Sequence, residues 1–127
     1  MMKETIICVI IVVLIVSLDI FTQGYTQRAT SEITQIFKEL KEEMLIENKE
    51  QIDNKVKILD EKWGQKHDAL AYYIEHDEIE KVDTAIVSLK SYVETKDYSS
   101  AVAELDEGKF VLEHIQKKNA FNLENVF

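Results

Sequence analysis

At 127 residues, with 24 acidic against 15 basic side chains and a formal charge of −9, the chain has room for one domain beside a targeting segment. That balance disfavours non-specific binding to nucleic acid or to anionic lipid. A single cysteine, Cys8, excludes an internal disulfide, and a lysine excess of 14 to one arginine reads as AT-rich coding bias rather than function.

The first element is Ile6–Leu18, an almost unbroken apolar run, and between Thr5 and Phe21 the only charge is Asp19. As a helix this span rises roughly 25 Å against about 30 Å of hydrocarbon. It is β-branched almost throughout and has no polar face, and the rest of the chain is too small to wrap it as a core helix. The small residues of an A-x-A-like cleavage site do not follow; Leu18, Ile20 and Phe21 are bulky, and Cys8 lies inside the run rather than after it. The expectation is a retained membrane anchor over residues 1–24, with a cleaved signal and a soluble chain as alternatives. Lys3 precedes the run and no basic residue follows before Arg28, so the body is expected outside the cytoplasm. Cys8 is by default a small hydrophobe; no motif supports its acylation.

Residues 25–127 read as an acidic, all-α domain, because zero prolines and three glycines leave few turns. Ile33, Phe37, Leu40 and Met44, then Ile52, Val56, Leu59, Trp63, Leu70 and Ile74, predict one long helix over about 28–75. Its face is polar between Met44 and Ile52, at Glu47 and Asn48, which reads as a solvated middle. Whether the anchor runs into this helix through Gly24 is left open. Ile79, Val82, Ile86, Leu89 and Val93 predict a second helix over about 78–95, opened by Asp77 and Glu80 as a capping box. Val102, Leu105, Leu112 and Ile115, with Ala101 and Gly108 as small contacts, predict a third over about 98–118. Asp97 or Ser99 would cap it, and Lys117 and Lys118 would favour its carboxyl end. The short loop near Lys96–Ser99 makes the last two helices an antiparallel hairpin packed on the long one. In the tail, 119–127, Phe121, Leu123, Val126 and Phe127 would dock on the bundle or meet a partner.

Chemistry is hard to place on this chain. His67, His76 and His114 each stand beside an acid (Asp68, Asp77 and Glu113), the residue types of metal-dependent phosphohydrolases. On one ideal helix, however, His67 and His76 lie about 13 Å apart. Neither H-E-x-x-H nor a glutamate three residues before a histidine occurs. Ser88, Ser91, Ser99 and Ser100 sit in no G-x-S-x-G turn, Cys8 is inside the apolar run, and no glycine-rich loop could cradle phosphate. Glu42 with Glu43, and Glu78 with Glu80, read as solvated helix faces. Trp63, Tyr72, Tyr73, Tyr92 and Tyr98 read as bundle core and margin, or alternatively as a ligand pocket. No catalytic, cofactor-binding or metal-ligating residue is therefore expected.

The opening Ile6–Asp19 run, then Trp63, Tyr73–Glu78, Ser88-Leu89-Lys90, Glu104-Leu105, Leu112–Ile115 and the ending Asn122–Phe127, together resemble domain of unknown function family 4363. The similarity covers essentially the whole chain. The resemblance implies a small single-pass bacterial membrane protein, often encoded beside another, in an accessory role; it brings no activity or catalytic residue. The resulting expectation is a non-enzymatic interaction protein of the cell envelope. It would hold lipid through its first helix and a membrane or envelope protein through its bundle, and would not bind nucleic acid. The alternative is an extracytoplasmic helical-bundle ligand-sensing module.

Overall fold

The computed structural model describes the backbone of residues 1–126 and the side chains of residues 1–120. These form four helices: α1 (Met2–Leu45), α2 (Lys49–Ala71), α3 (His76–Glu94) and α4 (Tyr98–Val126). Each packs on the next and α4 closes back on α1, while the diagonal pairs lie farther apart across the shared core. That is an up-down-up-down four-helix bundle.

Helix α1 spans 44 residues without interruption, through Gly24, a rise of about 66 Å. Its two halves do different jobs. From Ile6 to Phe21 the large apolar side chains other than Val16 stand exposed, Phe21 at 64%. From Thr26 onward it turns a stripe of Ala29, Ile33, Phe37, Leu40 and Met44 into the core. Leu59 and Trp63 of α2, Val82, Ile86 and Leu89 of α3, and Leu105, Leu112 and Ile115 of α4 complete that core. Gly108 is the close-packed point: an added Cβ there would sit 2.6 Å from Phe37 Cε2. The missing side chain is what lets the Phe37 ring lie against α4.

The single helix expected over 28–75 is in fact two. Glu47 adopts a left-handed φ of 54°. The Asn48 amide then donates to the Glu43 carbonyl and the Glu47 amide to that of Met44, both at 3.1 Å. This is a Schellman ending with glutamate where glycine is usual. The Asn48 side chain immediately caps α2 by accepting from the Gln51 amide. So the polar stretch between Met44 and Ile52 is a reversal, and α2 folds back along α1.

The turn between α3 and α4 repeats the device. Lys96 has φ 60°, the Asp97 amide reaches the Tyr92 carbonyl at 2.9 Å and the Lys96 amide that of Val93 at 3.1 Å. Asp97 then caps α4 through the Ser100 amide and hydroxyl, as its sequence position suggests. Glu47 to Lys96 is a spacing of 49 residues, and at that same offset Ile33, Phe37, Leu40, Ile52 and Trp63 correspond to Val82, Ile86, Leu89, Ala101 and Leu112, all buried. The bundle is thus two similar helical hairpins side by side.

Two further expectations change. Helix α3 begins at His76, two residues earlier than the proposed capping box allows. Its N-cap is Glu75 without a side-chain cap bond, and Asp77 lies in the first turn, where it faces the positive helix end. Helix α4 runs past 118 to Val126, so Lys117 and Lys118 are not at its carboxyl end. The docking expected of Phe121, Leu123, Val126 and Phe127 lies outside the described residues.

Candidate functional site

Most of the ion pairs formed among the described residues run between helices. Between α1 and α2, Glu32 takes Lys66 at 2.8 Å and Glu39 takes Lys55 at 3.4 Å. Both carboxyls are held below their ordinary value, that of Glu32 chiefly by its bond from Lys66 and that of Glu39 chiefly by its bond from Gln35, with Lys55 adding to it. Lys90 meets Asp60 between α3 and α2, and Lys41 meets Asp106 between α1 and α4. Exposed pairs of this kind contribute little energy individually. What they specify is which helix faces which.

The most constrained polar group is Asp83 on α3. Its Oδ1 accepts from the indole Nε1 of Trp63 at 2.7 Å, and its Oδ2 lies 2.9 Å from His67 Nε2. The other ring nitrogen, Nδ1, lies 3.1 Å from Asp68, and the imidazole stands edge-on to the Trp63 ring. Hydrogen bonds to Asp68 and then Asp83 raise the His67 pKa above 6.5, against a smaller opposing effect of burial. Asp68 is nearly fully exposed, so Asp83, held by Trp63, is the more durable partner. An imidazolium donating from both nitrogens satisfies both carboxylates. The cluster clamps α2 to α3.

The other histidines are elsewhere. His76 opens α3, largely exposed, 3.8 Å from Glu80 rather than paired with Asp77. His114 is exposed, and its Nδ1 lies 3.0 Å from Glu78, which is itself buried, while Glu113 turns to Lys109. The reversal at Tyr72–Glu75 puts His67 and His76 on different helices. Among the described residues no group of three or more His, Cys, Asp or Glu is placed to hold a metal ion. Asp83 and Glu78, the two acids that organise these histidines, are distant in sequence from the residues they hold, and their only advance signal was their polarity on otherwise apolar stripes.

A hollow of about 240 Å³ opens between α1, α3 and α4 at the end of the bundle nearest the apolar run, bordered by Thr26, Tyr73, Glu75, Glu78, Lys118 and Asn119. Most of its polar groups already have partners. Glu75 and Lys118 pair, which lowers the carboxyl pKa and raises that of the amine. Glu78 takes His114, and Asn119 donates to the Gln23 carbonyl at 2.9 Å. Of the tyrosines considered for a pocket, Tyr73 borders this hollow, Tyr72 is 86% exposed on the turn, and Tyr92 packs against the core. Little is left over to recognise a ligand.

Residues 20–126 match the family described as Domain of unknown function (DUF4363). The chain belongs to that family. The match begins at Ile20, so it covers the whole bundle and starts just after the Ile6–Leu18 apolar run. No curated protein and no solved structure matches the chain. Membership of DUF4363 therefore brings a shared domain but no named activity or ligand.

Proposed function

We propose that this member of DUF4363 is a membrane-anchored, non-enzymatic accessory protein of the bacterial envelope, which presents its bundle outside the cytoplasm to a protein partner. The observation that carries it is the continuity of α1. One unbroken helix holds an 18-residue window with a mean hydropathy of 2.8, none of it buried, and then supplies Ile33, Phe37 and Leu40 to the core. An apolar helix left uncovered by its own protein finds its cover in lipid. Lys3 ahead of the run and its absence of basic residues until Arg28 favour an extracytoplasmic bundle. A non-enzymatic role is supported by the use of His67, His114, Asp83 and Glu78 as interhelical clamps. For a partner the bundle offers exposed Leu45 and Ile46 at its far tip, and Val87 and Phe110 on its side.

Photo-crosslinking from Ile46 and Phe110 in intact membranes should capture one recurrent protein. Crosslinks to none, with the chain monomeric in detergent, would remove the partner from this reading. A second reading has an observation of its own: no fully buried residue precedes Thr26, so the bundle would keep its core after loss of a cleaved leader. The mass of the mature amino terminus separates the two, a chain beginning near Gly24 favouring release.

A further inference from the structure

We propose that the lower end of the bundle is seated in the phospholipid headgroup layer, with Arg28 on a lipid phosphate and the Tyr72–Tyr73 turn at the interface, rather than standing off on a stalk. The inference rests on the membrane-anchor reading and adds where the folded domain sits.

Three observations converge at this end. First, α1 passes from the exposed apolar run into the bundle with no break, so distance from the lipid can be counted along it. Asn119 of α4 bonds Gln23, and Tyr73 borders the same hollow as Thr26. Gly24 and Thr26 lie about 4.5 and 7.5 Å beyond Phe21 at 1.5 Å per residue. The headgroup layer is about 5–8 Å deep on each side of the hydrocarbon. The rim formed by this part of α1, by α4 at Asn119 and by the α2–α3 turn therefore falls within it.

Second, the lone arginine points that way. A Cβ added at Gly24 would meet Nη1 of Arg28 at 3.6 Å, so the guanidinium lies back along α1 by one turn toward the apolar run. Arg28 is exposed and takes part in none of the ion pairs formed among the described residues. A long stem whose guanidinium is directed at the interface, with no ion pair among the described residues, is a snorkelling arrangement, and the guanidinium fork suits a phosphodiester.

Third, Tyr72 and Tyr73 are 86% and 53% exposed on the α2–α3 turn at this same end. Two adjacent tyrosines left in water are unusual for a bundle loop, whereas amphipathic rings are favoured at headgroup depth. Glu75 and Asp77 beside them disfavour a strongly anionic surface, so the ligand is the headgroup phosphate of a largely neutral leaflet.

The test uses the full chain in phosphatidylcholine vesicles, with nitroxide labels whose saturation reports access to oxygen and to a water-soluble nickel chelate. Native Cys8, exposed on α1, carries the first label. Y72C and I46C, each in a C8A background, carry the others. The label at 8 should be shielded from nickel, that at 46 open to it, and that at 72 intermediate, at headgroup depth. R28A should shift the label at 72 toward the value at 46 while leaving the melting temperature unchanged. If the label at 72 is as open as that at 46 while 8 stays shielded, the anchor stands and the seat is refuted. Nickel access at 8 would refute both. No effect of R28A would take Arg28 out of the seat.

Discussion

At Gly108 and Gly64 the same residue type plays opposite parts, and alanine separates them. At Gly108 a methyl group would collide with the Phe37 ring, whereas at Gly64 it would meet nothing within 4 Å. Gly108→Ala should therefore destabilise the bundle by about 1–3 kcal/mol through overpacking. Gly64→Ala should stabilise it by about 0.5–1 kcal/mol, the ordinary helix-propensity gain. Urea denaturation of the two variants reads both signs. The Trp63–Asp83–His67 cluster makes a second set of expectations. Asp83→Ala would leave a buried indole N–H without its acceptor, at a cost of about 1–3 kcal/mol. His67 has its pKa raised above 6.5 in the folded state, so its contribution is fully present below the unfolded value and is lost as pH rises through the folded one. The melting-temperature gap between wild type and His67→Gln should accordingly be widest in mild acid and close as the solution becomes alkaline. A gap that widens toward high pH would contradict the cluster.

At the scale of elements, the two turns at the far end carry a conformational cost. Glu47 and Lys96 occupy left-handed positions that favour glycine. Glu47→Gly and Lys96→Gly should each raise stability by about 0.5–1 kcal/mol, with additive effects in the double variant because the turns share no bond. Thermal melts of the three variants check this. These same residues explain what was legible beforehand. The α3–α4 hairpin could be read because Asp97 signals a cap just where the apolar period lapses. The α1–α2 reversal could not, because glutamate at the left-handed position has the look of an exposed helical residue, and the apolar spacing resumes at Ile52 on a similar face. The capping box at Asp77 misled for a related reason: the backbone turn through Ile74 and Glu75 starts α3 early, so the side chain best suited to cap arrives too late to do so.

For the whole molecule, composition and period were enough for an all-helical body behind an apolar leader, but not for the closed ring of four helices, which depends on one unsignalled reversal. The clamps stayed hidden because Trp63 and Asp83, or Glu78 and His114, meet only through tertiary packing. Continuity of α1 ties the leader to the core mechanically, so that the membrane reading and the fold stand on the same helix. Alkaline carbonate extraction of native membranes, with the intact mass of the recovered chain, tests that link most directly. The expected result is full-length protein retained in the pellet. Full-length protein released into the supernatant, or a recovered chain lacking its first two dozen residues, would contradict it.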